Sequence, residues 1–162
     1  MSTTTASLDL TSAAGKYLTF RLGDESYGIA VLKIREIIGL QKITPVPQMP
    51  AHARGVINLR GKVIPVVDLR LKFGLSEAQA TERTCIIVVQ AELAEGEFSL
   101  VGLIVDAVEE VANIAAEDIE PQPELSSSAR NAFVLGLAKS ESQVKTLLEI
   151  DALLGEDLSL MA

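Results

Sequence analysis

The sequence is poor in the residue types on which most protein chemistry depends. Its 162 residues include one cysteine, one histidine and no tryptophan, and aromatic side chains make up only 4%. The single thiol, Cys85, cannot form an intrachain disulfide, and it excludes a zinc site built from several cysteines. Such sparse use of cysteine is typical of a reducing compartment.

Positive charge and long apolar runs are also scarce. Lys and Arg number 14 against 22 Asp and Glu, so the net charge is −8. An acidic chain is a poor partner for nucleic acid, because phosphate binding requires a basic surface. No apolar run approaches the ~18 residues of a membrane-spanning helix, and residues 1–15 lack the basic and apolar regions of a secretory signal. We therefore expect a cytoplasmic protein with a flexible N-terminal arm over residues 1–15.

The charge is divided unevenly along the chain. Residues 1–75 carry ten Lys or Arg and five Asp or Glu, whereas residues 76–162 carry four and seventeen. The net charges are therefore +5 and −13. Two explanations stay open: different faces for different partners, or an acidic half that is simply solvated.

Apolar side chains, at 48%, are plentiful enough to build a core and to exclude disorder of the whole chain. The alternation over Lys16–Leu22 predicts a half-buried strand. Arg60-Gly61 lies between two apolar runs and predicts a tight hairpin turn. Asp68 predicts the N-cap of a short helix that ends at Gly74. Further strands are predicted over Thr84–Val89, Glu97–Val111, Ala132–Lys139 and Val144–Ile150, with a capped turn over Asp151–Gly155.

The hydrophobic pattern occurs twice, which indicates an internal duplication. The matching segments are 28–37 with 102–111, 43–47 with 119–123, and 55–74 with 136–155. Because the matches keep their order along the chain, we infer two copies of one small all-β unit of about five strands, joined near residues 73–82. Sheets this small remove their edges by closing into barrels. The two units should pack on each other, with a groove between them as the natural partner site.

Few residues are available for catalysis. His52 lies in a loop or a single helical turn, and Cys85 lies in an apolar strand, where a thiol behaves as a small hydrophobe. Glu109-Glu110 and Glu117-Asp118 are the candidates for a metal site. However, neighbouring residues on a strand point to opposite faces, so Glu109 and Glu110 cannot readily chelate one ion.

We therefore predict a protein that is not an enzyme, with no catalytic residues, cofactor or metal. A small β-barrel hydrolase or transferase that depends on His52 or on the acidic cluster is the enzymatic alternative. An OB-like nucleic-acid binder is disfavoured, because only Phe and Tyr, six in all, are available for stacking on an acidic chain.

The hairpin tip Asn58-Leu59-Arg60-Gly61-Lys62 places two cations side by side. The simple explanation is an exposed turn made by Gly61. An arginine at a rigid tip is also a good protein–protein anchor, because its guanidinium can grip a carboxylate in two places.

The segment Gly55–Arg70, GVINLRGKVIPVVDLR, resembles the signature stretch of the CheW family, the coupling proteins of bacterial chemotaxis. FRLGDESYGI at 20–29, VLKIREI at 31–37 and VGLIVDAV at 101–108 resemble other parts of the same domain. The resemblance covers about Lys16 to Gly155. The same domain occurs in the kinase CheA and in the CheV adaptors. This chain has no room for their additional domains, so it resembles a free-standing CheW-like domain.

The resemblance implies an all-β fold of two pseudo-duplicated five-stranded SH3-like β-barrel subdomains with a few short helices. The CheW-like domain would span 16–157, with the first barrel mainly in 16–75 and the second mainly in 82–157. Terminal segments could cross between the barrels, and 158–162 would form a tail.

The function implied by the resemblance is that of a cytoplasmic adaptor. It would link the tips of methyl-accepting chemoreceptors to the regulatory domain of the histidine kinase CheA. Such an adaptor is recruited to membrane-associated receptor arrays without inserting into the membrane. A CheW-like scaffold in a non-motility chemosensory pathway is the alternative.

The resemblance also assigns residues to partners. The receptor would contact Ile34, Glu36, Asn58, Arg60 and Val111. The kinase would contact Leu40, Ile43, Arg54 and Gly55, and a second kinase contact that closes rings would involve Glu120 and Leu125. Three points stay open. Ile34 and Val111 are either exposed aliphatics or core residues, and Gly55 either permits a close backbone approach or merely starts a strand. Relatives can carry a basic residue in place of Glu120, which leaves the charge pairing of the second kinase contact open.

Overall fold

The computed structural model describes residues 14–92, 96–121, 133–140 and 142–161, the last range with side chains to Gly155. Most of the described chain is β-structure, which confirms the predicted fold class. The strands are β1 Gly15–Leu22, β2 Glu25–Ala30, β3 Ile34–Gly39, β4 Ala53–Leu59, β5 Lys62–Asp68, β6 Cys85–Glu92, β7 Phe98–Val105, β8 Ala107–Ile114, β9 Ile119–Glu120, β10 Val134–Ser140 and β11 Gln143–Leu148. The helices are α1 Leu69–Lys72 and α2 Ile150–Met161, and 3₁₀ turns Val31–Lys33 and Ala116–Asp118 precede β3 and β9.

The described strands form two sheets. One has five strands in the order β3-β6-β7-β5-β4, and the other has six in the order β8-β1-β2-β11-β10-β9. The sixth strand is β9, which has only two residues and pairs Glu120 with Leu137. Its counterpart in the five-stranded sheet is a single bridge between Thr44 and Val56. The two sheets are therefore nearly identical, in agreement with two SH3-like subdomains.

Each sheet takes one hairpin from the other sequence repeat. The hairpin β1–β2 pairs with β8 and β11, which come from the second repeat. The hairpin β6–β7 pairs with β3 and β5, which come from the first. Residues 15–30 thus belong to the six-stranded sheet and residues 85–105 to the five-stranded one, so the sheets do not follow the two halves of the chain.

Two matched glycines lie at equivalent parallel seams of these sheets. Gly28 of β2 is opposite Leu147, and Gly102 of β7 is opposite Val66. An added Cβ would lie 2.9 Å from the Leu147 side chain at Gly28, and 2.8 Å from the Ile86 side chain at Gly102. Neither seam has space for a larger residue, which explains why both copies of the sequence pattern begin with glycine.

The largest apolar cluster is shared by both sheets and both helices. We call it the shared core; among its fully buried members are Phe20, Ile29, Leu69, Ile87, Leu103 and Leu154. Two smaller clusters belong to single sheets: one surrounds Tyr17 and Leu147 in the six-stranded sheet, and the other surrounds Ile64 and Val88 in the five-stranded sheet. Neither sheet can therefore complete its core without the other.

The prediction that β1 is half-buried is wrong. A half-buried strand with Leu18 and Phe20 on its buried face would leave Tyr17 and Thr19 facing solvent, but they are only 2% and 0% exposed. Leu18 and Phe20 point into the shared core, while Tyr17 points into the smaller cluster on the other face. The Thr19 hydroxyl donates a hydrogen bond to the Glu110 carbonyl at 3.1 Å, so it is buried without loss of a partner.

Asp68 caps α1 as predicted. Its Oδ1 accepts hydrogen bonds from the backbone N–H groups of Arg70 at 3.0 Å and Leu71 at 3.4 Å. The capped turn expected at Asp151–Gly155 is instead the start of the twelve-residue helix α2.

The single strand expected over Glu97–Val111 is divided at Asp106. The carboxylate of Asp106 accepts from Arg70 Nη1 at 2.6 Å and from the Gly23 backbone N–H at 2.7 Å. Its own backbone N–H donates to the Arg21 carbonyl. Asp106 thus ties helix α1 to the β1–β2 turn at the point where the chain passes from one sheet to the other.

We predict that Leu103→Ala destabilises the whole protein rather than one sheet. The residue is fully buried in the shared core, and truncation of a buried leucine costs about 3 kcal/mol. Urea unfolding followed by far-UV and near-UV circular dichroism should show one coincident, weakened transition. Val144→Ala, at a 53% exposed position, serves as the control and should change stability by less than about 0.5 kcal/mol. Two separate transitions would contradict the single shared core.

Candidate functional site

The predicted hairpin at Arg60-Gly61 is present, and its backbone holds Arg60 in an unusual conformation. The φ angles of Arg60 and Gly61 are 50° and 87°, as a two-residue type I′ turn requires. The Gly61 N–H donates to Asn58 Oδ1 at 2.8 Å, which braces the turn. A left-handed arginine costs free energy, and such residues concentrate at functional sites. The conformation therefore marks this tip as a candidate site.

The turn directs Arg60 onto Glu36 of β3. Arg60 Nη1 donates to Glu36 Oε2 at 3.3 Å, and Nη2 donates to Oε1. The pair lies at the surface, with 70% of the Arg60 side chain and 30% of the Glu36 side chain exposed. An exposed pair adds little to stability, so its main effect is to hold the guanidinium in one orientation.

The pair is ionised. The hydrogen bond from Arg60 lowers the pKa of Glu36, and the bond to Glu36 raises the pKa of Arg60. The group at this tip is therefore a guanidinium–carboxylate pair with one face still open to solvent.

An open cavity of about 610 Å³ adjoins the pair. We call it the Arg60 cavity; its lining includes Arg35, Glu36, Arg60, Lys62, Phe98 and Leu100. Of the five residues predicted to contact a receptor, Glu36 and Arg60 line it, and the amide oxygen of exposed Asn58 supports the turn beside it.

The open question about Ile34 and Val111 has a different answer for each. Ile34 is partly buried and packs against the shared core. Val111, on β8, is 57% exposed. Ile34 thus combines a core role with a partly accessible surface, whereas Val111 is a surface aliphatic of the six-stranded sheet.

A second cavity, of about 290 Å³, brings together most of the predicted kinase contacts. We call it the Leu40 cavity; its lining includes Leu40, Ile43, Arg54, Asp68, Arg70 and Asp106. Leu40 is 41% exposed. Arg54 Nη1 lies 3.4 Å from Asp68 Oδ2 and 3.3 Å from Glu77 Oε1. The cavity combines apolar side chains with paired charges, and it shares no lining residue with the Arg60 cavity.

Gly55 is buried rather than a surface contact, and it permits a close backbone approach. Its φ is 139°, and an added Cβ would lie 2.1 Å from the Thr44 carbonyl oxygen. Thr44 and Val56 exchange two backbone hydrogen bonds, at 2.8 and 2.9 Å. Gly55 therefore allows the segment that carries Ile43 to lie directly against β4.

The predicted second kinase contact is described only in part. Glu120 is exposed, and its Oε1 lies 3.2 Å from Lys139 Nζ. Leu125 lies outside the described residues.

His52, Cys85 and the acidic residues named for a metal site all lie within the described residues. The His52 carbonyl accepts from the Asp68 N–H at 2.8 Å, and burial raises the pKa of the Cys85 thiol. No group of three or more His, Cys, Asp or Glu within the described ranges is arranged to hold a metal ion. In the same ranges, no helix has both the length and the apolar character needed to cross a bilayer.

Sequence reasoning missed Arg35 and Phe98 in the Arg60 cavity, and Arg70 and Asp106 in the Leu40 cavity. Arg35 stands next to Glu36, and strand alternation predicts opposite faces for two neighbouring residues. The register of β3 against β6 shifts between Ile34 and Glu36, and no local spacing indicates that irregularity. Arg70 and Asp106 are 36 residues apart, and no sequence spacing indicates their contact.

Comparison with known proteins gives consistent matches over most of the chain. Residues 16–158 match the CheW-like domain family. Chemotaxis protein CheW of Rhizobium meliloti is 36% identical over 149 residues, which cover 92% of this chain and 93% of that protein. Chemotaxis protein CheW of Klebsiella aerogenes is 34% identical over 142 residues, covering 88% of this chain and 82% of the relative. The crystal structure of scaffolding protein TtCheW from Thermoanaerobacter tengcongensis superposes with a TM-score of 0.74 at 36% identity, covering 86% of this chain and 92% of that one.

We predict that Arg60→Ala raises the pKa of Glu36 toward its ordinary value of 4.5, because the guanidinium that stabilises the carboxylate is lost. In the native protein, the stabilisation from this pair is present above the unfolded-state pKa and is lost as the pH falls through the lowered pKa. A carbon-detected NMR titration of the Glu36 carboxyl measures the shift directly. Lys16→Ala, at an exposed cation on β1, is the control, and an unchanged Glu36 pKa in Arg60→Ala would contradict the pairing.

Proposed function

The chain belongs to the CheW-like family, and on that premise we propose that this chemotaxis scaffold protein couples chemoreceptors to the histidine kinase CheA. In this role it is a cytoplasmic, non-enzymatic adaptor that is recruited to receptor arrays at the membrane. The observation that carries the proposal is the presence of two separate cavities on one chain. An adaptor must bind two partners at once, and the Arg60 and Leu40 cavities have no lining residue in common.

The Arg60 cavity is the proposed receptor site. Arg60 is held by its turn and by Glu36, so binding costs little side-chain entropy. With 70% of its side chain exposed, it still has donors for a partner carboxylate. Ile34 at the start of β3 and Val111 on β8 would add apolar area to the contact.

The Leu40 cavity is the proposed site for the regulatory domain of the kinase. Leu40 and Ile43 supply apolar area, and Arg54 supplies charge that is already balanced by Asp68 and Glu77. Gly55 acts indirectly, because it positions the segment that carries Ile43. Glu120, with Leu125, would form the weaker second contact, and its pairing with Lys139 leaves this contact nearly neutral.

The test is co-sedimentation of the protein with receptor-bearing membranes and CheA from the same genome, with kinase autophosphorylation measured in parallel. The proposal expects ternary pelleting and receptor-dependent control of the kinase. Failure to pellet with any matched receptor and kinase would refute the coupling role and leave a CheW-like scaffold that serves another pathway.

We predict that substitutions in the two cavities separate the two binding activities. Arg60→Glu reverses a charge at an exposed tip, so it should abolish receptor pelleting while CheA binding and the melting temperature stay unchanged. Leu40→Asp should have the opposite effect, because it replaces an apolar lining residue of the other cavity with a charged one.

Val144→Asp, at a 53% exposed position on the six-stranded sheet, is the matched control for Leu40→Asp and should retain both activities. A folded Arg60→Glu protein with normal receptor binding would refute the assignment of the Arg60 cavity. Loss of both activities in either cavity variant would refute their independence.

A further inference from the structure

The Arg60 cavity extends well beyond the Glu36–Arg60 pair. Its lining also includes Arg35 on β3, Lys62 on β5 and Phe98 at the start of β7. These three residues come from separate strands of the five-stranded sheet, and the fold brings them to one cavity. None of them belongs to the set that the sequence assigned to a receptor.

Phe98 is exposed in a chain that buries or stacks its other described aromatic rings. Phe20, Tyr27, Phe73 and Phe133 form a continuous stack, with centroid separations of 5.9, 5.3 and 5.6 Å, and Tyr17 is only 2% exposed. Phe98 is 59% exposed and lies opposite Glu92 in the β6–β7 ladder. Aromatic side chains are enriched among the anchors of protein interfaces, so an exposed phenylalanine inside a cavity indicates a contact.

The cavity also carries positive charge that the described residues do not balance. The single carboxylate in its lining, Glu36, is already paired with Arg60. Within the described ranges, neither Arg35 nor Lys62 makes an ion pair. Glu92 and Glu97 lie on the same hairpin but do not line the cavity. The lining of the cavity therefore presents two cations without an ion-pair partner among the described residues, together with an aromatic ring.

This combination fits an acidic protein segment better than a lipid surface or a nucleic acid. Recognition of an anionic membrane typically uses about four to eight clustered Lys or Arg, and the net charge of −8 opposes binding of nucleic acid. Two cations separated by an aromatic ring instead match a partner segment that offers carboxylates and one apolar side chain.

We propose that Arg35, Lys62 and Phe98 form a second half of the receptor contact, which binds an acidic segment of the receptor through two charge pairs and one apolar anchor. This inference rests on the proposed receptor-binding function, because the same cavity contains the Glu36–Arg60 pair. The charged residues set the affinity at low salt, and Phe98 provides a contribution that salt does not screen.

The test compares Arg35→Glu/Lys62→Glu and Phe98→Ala with the native protein. Binding to membrane-anchored cytoplasmic fragments of a receptor from the same genome is measured at low and at roughly 0.5 M salt. The double charge reversal should weaken receptor binding more than about tenfold at low salt and much less at high salt. Phe98→Ala should weaken binding by about tenfold at both salt concentrations. CheA binding and the melting temperature should not change in either variant.

Two control variants and one control surface complete the experiment. Lys16→Glu/Arg83→Glu makes the same charge change at exposed residues outside the cavity, and Val144→Ala removes exposed apolar atoms elsewhere, so both should bind the receptor normally. Vesicles with anionic lipid and no receptor test the lipid alternative, and binding to them that is lost on double charge reversal would overturn the proposal.

The remaining outcomes separate failure of this contact from failure of the proposed receptor-binding function. If the native protein binds the receptor and both cavity variants bind equally well, the second half of the contact is refuted and the proposed function stands. If the native protein fails to bind the receptor, the proposed function fails and this contact fails with it.

Discussion

Burial of both faces of the exchanged hairpins is the constraint on which the structure depends. The hairpins β1–β2 and β6–β7 each supply one set of side chains to the shared core, and their other set completes a smaller cluster in one sheet. Side chains alternate between the two faces of a strand. In a strand that lies between two cores, every side chain must therefore be apolar or have its polar groups hydrogen-bonded. Thr19 meets this condition by donating to a carbonyl. Exchange of hairpins between the repeats thus makes one domain from two units, neither of which completes its core without the other.

The same constraint explains why the candidate sites lie at strand ends and turns. Since the faces of the central strands are occupied by cores, only hairpin tips, sheet edges and connecting segments are free to bind partners. Arg60 is at a tip, Glu36 is on the edge strand β3, and Leu40 follows that strand directly. The rigid cores fix these elements relative to one another, and for this reason a short turn can hold a guanidinium ready for a partner.

Local features of the fold were predictable from the sequence, whereas features that depend on strand exchange were not. The Arg60-Gly61 turn and the Asp68 cap involve residues within a few positions of each other, so local spacing was sufficient to predict them. The duplication was also visible, because both repeats obey the same packing rules at Gly28 and Gly102. Burial of Tyr17 was missed, since alternation in one strand does not reveal that a second core covers its other face.

The residues of the candidate functional site also fall into two groups: those that the sequence identified and those that depend on contacts between distant segments. Glu36 and Arg60, and likewise Leu40, Ile43 and Arg54, were named individually from the family resemblance, and the structure brings each group together. By contrast, the place of Phe98 depends on the pairing of β6 with β7 and of β7 with β5. Such contacts between distant segments are fixed by topology, which no local spacing encodes.

Hairpin exchange also changes how the uneven charge of the sequence is distributed between the two sheets. It brings Arg21 onto the acidic sheet, where Arg21 lies 3.5 Å from Glu109. Lys145, which belongs to the acidic half of the sequence and is 7% exposed, lies 3.5 Å from Glu110 on the same sheet. Residues 34–105, which supply the five-stranded sheet, carry eight Lys or Arg and seven Asp or Glu, a net charge of +1 against −9 for the rest. The contrast between sheets is therefore weaker than the contrast between sequence halves. The five-stranded unit is nearly neutral, so the unpaired cations of the Arg60 cavity are not part of a larger basic face. Their attraction for a carboxylate therefore acts only at short range. Such a local attraction favours binding of a specific acidic segment over general attraction of anions.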